Sequence, residues 1–277
     1  MTLARVRHGW AILEANGRGG SLEARLPDPI RQWAKPVSTG LTILLLVIAI
    51  WGLWRWWTYS MPDYPSLDLG HYLDATRRWL VTGTPYLPHE VAGPYEHYSP
   101  LTFLHPPITL YLFLPFLYVP APLFWIIPLG IVAILVVAWR PHHLVWPLLA
   151  LSLCTDGFRN AFVTGNTDLW MLMAVAAGLG WAWPAVVAVI KPTFAPIALL
   201  ALRRRSGQIA LVIVVVAAVP MGNLWIEWWH VIQNGPGGLW YSLPNYLWVA
   251  APALAWVFRT ADLSLVSATR SRLTEVP

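Results

Sequence analysis

The sequence predicts an all-α integral membrane protein of about eight transmembrane helices, and three observations predict it. Hydrophobic residues make up 57% of the 277 positions and charged residues only 11%, against about 25% charged in soluble domains. The apolar residues come in long unbroken runs, which a soluble core does not need. Trp is frequent, at 19. Trp51, Trp54, Trp56, Trp57, Trp139, Trp228, Trp229 and Trp240 sit at the ends of those runs, where amphipathic rings settle at a bilayer surface.

The first 36 residues are polar and basic. They are too long and too Arg-rich for a secretory n-region, so they read as a cytoplasmic tail before an uncleaved first span. The transmembrane domain then covers 37–258, with apolar segments at Val37–Trp54, Leu101–Tyr118, Ala121–Trp139, Leu144–Phe158, Leu169–Trp183, Pro184–Leu202, Gln208–Ile226 and Leu243–Phe258. Crossing about 30 Å of hydrocarbon takes about 17 to 25 residues, so the fourth and fifth are short. Val119-Pro120-Ala121-Pro122 reads as a tight turn between the second and third, because Pro pre-sets turn geometry. Residues 259–277 form a second cytoplasmic tail.

Basic residues set the orientation. Arg5, Arg7, Arg18, Arg25, Arg31 and Lys35 precede the first span, Arg203-Arg204-Arg205 follow the sixth, and Arg259, Arg270 and Arg272 follow the eighth. All agree with a multi-pass plasma-membrane protein whose N-terminus is cytoplasmic; Arg140-Pro-His-His, after the third span, disagrees. The net charge of +5 is therefore topology information and not a nucleic-acid surface. The single Cys154 forms no intramolecular disulfide and reads as packing.

This orientation places the loop Pro62–Pro100 outside. The loop carries Asp63, Asp68, Asp74, Glu90 and Glu96, and His71, His89, His97 and His105 fall in or just beyond it. Leu67 to Val81 has helical periodicity, with Leu69, Tyr72, Leu73, Trp79 and Leu80 on one face and His71, Asp74, Arg77 and Arg78 opposite. Such a helix suits the plane of the membrane surface, and Gly83 ends it. Asp74 and Arg78, spaced i,i+4, read as a surface ion pair, and Arg77 as a headgroup contact. No His, Asp and Glu set has metal-ligand spacing, so no metal and no other cofactor is expected.

The string Asp68-Leu-Gly-His-Tyr72-Leu-Asp-Ala75, continuing to Gly83-Thr-Pro85-Tyr86, resembles the first external loop of glycosyltransferase family 87. Phe103-Leu-His105-Pro106-Pro107, Gly165-Asn166-Thr-Asp168 and Ile190-Lys191-Pro192-Thr193 with Arg203-Arg204-Arg205 are similar to three further elements of that family, in the same order over roughly residues 60 to 205. The resemblance implies a GT-C-like transferase with its catalytic loop at 58–100. It implies transfer of a hexose, usually mannose, from a polyprenyl phosphate to a glycolipid or glycan acceptor hydroxyl, with inversion, outside the cytoplasm. Asp68 aligns with the family's catalytic Asp and is expected to act as general base; the alternative is that it caps its helix. His105 stands where the family commonly has Tyr. Family members also run longer, so acceptor binding is the expected loss, and a partner subunit supplying further spans is a candidate partner.

The remaining candidates come from the motifs of that resemblance or from their place in the predicted spans. Lys191 falls deep in an apolar span, where a Lys costs on the order of 2 to 3 kcal/mol and is a functional candidate, and Pro192 loosens its helix. Lys191, His71, Arg78, Tyr72 and His105 are candidates to hold the donor phosphate or sugar, and Asp63 is a substitute base. Asn166, Asn223 and Glu227 are secondary candidates, the last two beside the Asn234-Gly-Pro-Gly-Gly238 loop. Asp156, Arg159, Asn160, Asn166 and Asp168 fall between the short spans, toward the cytoplasm, which would separate them from Asp68; an Asp156–Arg159 structural contact is expected. Two rival readings are a non-catalytic or truncated membrane subunit and a small-molecule transporter, the latter expected to pair charges near the midplane.

Overall fold

The computed structural model describes residues 27–60, 66–93, 103–235, 238–240 and 242–260. Among these the chain is helical throughout, with one isolated bridge between Pro141 and Arg259. The longer helices are α1 (Asp28–Arg55), α2 (Leu67–Thr82), α3 (Leu123–Trp139), α4 (Trp146–Leu153), α5 (Asp156–Thr164), α6 (Asp168–Trp181), α7 (Arg205–Ala218) and α8 (Leu224–Asn234). Among the described residues only α1 with its π-turn extension, Pro29–Tyr59, is both long and apolar enough to cross a membrane as one helix. Its start at Asp28 takes helix into the expected basic tail, and Pro36 is accommodated inside it.

The bundle has two chemically distinct ends. At one end, Ser38 of α1 donates to the carbonyl of His143 at 2.5 Å. Thr260 N–H reaches Arg140 O at 3.2 Å, and the Arg203 and Arg259 guanidiniums lie 5.5 and 4.3 Å from the Trp256 ring centroid. Arg203 also donates to Leu179 O at 3.1 Å. At the other end, a Cβ on Gly52 of α1 would lie 2.9 Å from Arg159 Nε, Ser66 N–H bonds Val163 O, and Trp125 Nε1 donates to Phe162 O at 2.6 Å. Arg140, Arg203 and Arg259 thus gather at the first end. Helix α2, with two Asp and two Arg, lies at the second.

Tracing the chain between these ends corrects the order read from hydropathy. Segment 143–164 climbs alongside α1, meeting it at Ser38, Leu45 and Gly52 in turn. Residues 156–168 therefore reach the α2 end, and the expectation that they lie apart from Asp68 is overturned. The sixth apolar segment does not run end to end. It is two 3₁₀ arms, Trp183–Ile190 and Pro192–Arg203, folded against each other around Lys191. Lys191 is extended (φ −132°, ψ 108°), as a residue before Pro must be when it leaves the α region. The second segment also turns back: Pro107–Leu117 packs on α2, and Phe116 and Phe124 both contact Trp170 at the start of α6.

Helix α2 forms where its periodicity predicts, and Gly83 closes it in the left-handed region at φ 85°. The buried stripe is Leu69, Tyr72, Ala75 and Thr76, whereas Leu80 is exposed, in place of the inward position expected. Asp74 pairs with Arg77 at 2.7 Å and not with Arg78. Arg78 instead turns back to the carbonyl of Pro85, donating through Nε and a terminal nitrogen at 2.8 and 2.6 Å, so an interior acceptor outcompetes the solvated carboxylate.

Candidate functional site

Asp68 lies in the first turn of α2, and the capping alternative does not describe it. Ser66 is the cap residue, and no side chain caps this helix. The Asp68 carboxylate reaches across to α5 and the turn after it: Thr164 Oγ1 and Asn166 Nδ2 each lie 2.7 Å from its Oδ2. Both bonds fall on one oxygen, so Oδ1 carries neither. The side chain is half-buried and fixed through Oδ2.

The turn that delivers Asn166 requires Gly165. Its φ of +71° is left-handed, and a Cβ there would lie 2.8 Å from Trp125 Cζ2 and 3.0 Å from Leu69 Cβ. Only glycine combines that conformation with so close an approach. The chain then turns by 108° into α6, whose first residue is Asp168.

Behind Asn166 the network enters the interior. Lys191 Nζ donates to Asn166 Oδ1 at 3.0 Å and to Asp168 Oδ1 at 2.5 Å, with 2% and 1% of the Lys191 and Asp168 side chains exposed. Asn245 Nδ2 donates to the other Asp168 oxygen at 2.5 Å. Because an ammonium can only donate, Lys191 fixes the Asn166 amide with its oxygen inward, which leaves Nδ2 for Asp68. The hairpin tip is held by Ile190, whose carbonyl takes the Thr109 hydroxyl at 3.1 Å and lies 3.2 Å from His105 Nδ1.

The sequence-predicted candidates separate into three groups. Asp68, Asn166 and Lys191 meet in one chain of hydrogen bonds. His71 stands one turn beyond Asp68 on α2, half-buried, and its Nε2 has no hydrogen-bond partner among the described residues. Tyr72 and His105 instead pack inside, with Tyr72 stacked on Phe113 at 4.6 Å and edge-on to His105 at 4.9 Å. Arg78 lies about 15 Å along α2 from Asp68 at 1.5 Å per residue, and Asn223 and Glu227 line cavities at that far end. There the Thr84 hydroxyl donates to Glu227. The expected Asp156–Arg159 contact is present at 2.9 Å. Asp63 lies outside the described residues.

Thr164 and Asn245 were not anticipated. Asn245 had a faint signal as an amide beside Pro244 at the head of an apolar run. Thr164 had none, since a Thr at a helix end is ordinary. Compared with known proteins, the chain matches no family model, no curated protein and no solved structure.

Proposed function

We propose that the chain is a membrane glycosyltransferase of the GT-C kind. It moves a hexose, mannose by preference, from a polyprenyl phosphate to an acceptor hydroxyl outside the cytoplasm, with inversion. The observation that supports this best is the convergence on Asp68 of three motif elements far apart in sequence, the Asp loop, Gly165-Asn166-Thr-Asp168 and Ile190-Lys191-Pro192. Asp68 Oδ1 takes the acceptor hydroxyl proton as that oxygen bonds to the anomeric carbon. The anomeric carbon–phosphate oxygen bond breaks, and its electron pair leaves with the polyprenyl phosphate. His71 stands one turn beyond Asp68 on α2, but its Nε2 is sealed from solvent, so its ring must turn outward to donate to that phosphate. Lys191 is buried and engaged, so it acts through Asn166 and not on the phosphate itself.

The bundle corresponds to six membrane crossings and two segments that enter and return, the hairpin around Lys191 being one of them. Incubating the purified protein with polyprenyl-phosphate-mannose and glycolipid acceptors tests the transfer. Asp68→Asn should abolish product while leaving the melting temperature near wild type; product formation undiminished by Asp68→Asn would remove the assignment.

A second reading rests on the buried Lys191–Asp168 pair at a broken segment, the charge pairing anticipated for a transporter. Proteoliposomes separate the two. Solute flux that depends on Lys191, without any sugar transfer, would favour the transporter.

A further inference from the structure

The far end of α2 carries a built polar site that the transferase reading does not use. Glu227, in the first turn of α8, lies between two adjoining cavities of about 360 and 490 Å³, both within the roughly 300–1,000 Å³ of small-ligand sites. Among the described residues its carboxylate accepts from Thr84 and makes no ion pair. The larger cavity also exposes Arg78. Two of that guanidinium's five N–H groups are spent on the Pro85 carbonyl, which leaves three N–H groups on a residue that lines the cavity. One cavity therefore presents an anion and a cation separately, each with unused hydrogen-bonding capacity.

The surroundings say what kind of molecule would carry the complementary pair. Leu87, Pro88, Val91 and Ala92 form an apolar wall of the larger cavity, beside Thr82, Thr84 and Tyr86. The smaller cavity is bounded by Pro220, Met221 and Gly222 at the end of α7. Helix α7 is an apolar rail leading there: Val212, Val215, Val216 and Val219 are 62 to 73% exposed along it. At Gly222 the chain turns by 93° into α8, which carries Trp225, Trp228 and Trp229 as an interfacial helix would. Acyl chains lying on α7 would bring their headgroup to Glu227 and Arg78.

We propose that this site binds a phospholipid whose headgroup joins a primary ammonium to a phosphate, that is, a phosphatidylethanolamine. The ammonium donates to Glu227, beside the Thr84 hydroxyl. The phosphate accepts from the remaining Arg78 N–H groups, and the chains cover α7. The proposal depends on the membrane location of the bundle and is independent of sugar transfer.

The test uses the full-length protein, delipidated in mild detergent and examined by native mass spectrometry. It is offered dioleoyl phosphatidylethanolamine, dioleoyl phosphatidylglycerol or free phosphoethanolamine. Wild type should retain the ethanolamine lipid over the glycerol lipid by about tenfold, the discrimination one extra charge-assisted bond supplies. Glu227→Gln, which keeps the shape and the Thr84 contact, should bring the two lipids level without lowering the melting temperature. Equal retention of both lipids by wild type would overturn the proposal. So would undiminished selectivity in Glu227→Gln, or binding of free phosphoethanolamine as tight as that of the whole lipid. Should Glu227→Gln fail to fold, the wild-type ratio decides alone.

Discussion

Lys191 and Asp168 are charges sealed from water, with 2% and 1% of their side chains exposed, and each is held by the other. Removing one partner of a buried pair costs about 3–5 kcal/mol, because the remaining charge is left uncompensated. Lys191→Met should therefore lower the melting temperature sharply in detergent. It should also reduce sugar transfer, since only the Asp168 N–H, at 3.1 Å, then holds the Asn166 amide oxygen inward. Adding Asp168→Asn should recover most of the lost stability but not the activity, and a double-mutant cycle on both quantities checks this. Lys191 was legible in the sequence because a charge in an apolar run is conspicuous. Its partners Asn166 and Asp168 were less so, since they precede it by more than twenty residues and no local period joins them.

Glu90 behaves in the opposite sense from a paired carboxylate. It is 1% exposed, and desolvation raises its pKa above the ordinary 4.5 despite the backbone N–H groups of Leu87 and Phe103 and the Arg78 charge, which lower it. Folding then takes up a proton, so the stability this group contributes is complete below its ordinary value and lost as pH rises through the raised one. The wild-type melting temperature should fall across that interval. In Glu90→Gln the slope should flatten, a difference that thermal melts at a series of pH values would register.

Helices and turns divide by how locally they are specified. The span of α2 is written in the spacing of Leu69, Tyr72 and Gly83, so period and stop signal suffice to find it. The hairpin 183–203 is not, because both arms are uniformly apolar and hydropathy cannot record a reversal; only Lys191-Pro192 marks its tip. The turn at Gly165 is intermediate, since the residue is evident but the packing that demands it is not. Two glycine substitutions separate these contributions. Gly83→Ala meets nothing within 4 Å and suffers only its φ of +85°, a cost of about 1–2 kcal/mol. Gly165→Ala bears the same strain and drives a methyl against Trp125 and Leu69, adding about 1–3 kcal/mol. The second variant should melt below the first, and it alone should impair sugar transfer, because Asn166 is the next residue.

The arrangement of the whole bundle resolves the one basic cluster that hydropathy could not place. Counting eight complete spans leaves Arg140 outside, against the preference of Lys and Arg for the cytoplasmic face. With the second and sixth segments turning back, as proposed, Arg140 joins Arg203 and Arg259 at one end, and the disagreement of the Arg140 cluster with the others is removed. The two topologies differ at exposed positions and can be told apart chemically. With Cys154→Ala as background, single cysteines replace His89, Ala121, Arg140 and Arg204, all exposed, and intact cells are treated with a membrane-impermeant maleimide. Six crossings put Ala121 on the labelled face with His89, and Arg140 on the protected face with Arg204. Eight crossings exchange Ala121 and Arg140. A labelled Arg140 site beside a protected Ala121 site would undo the bundle's order and, with it, the placement of Asn166 next to Asp68.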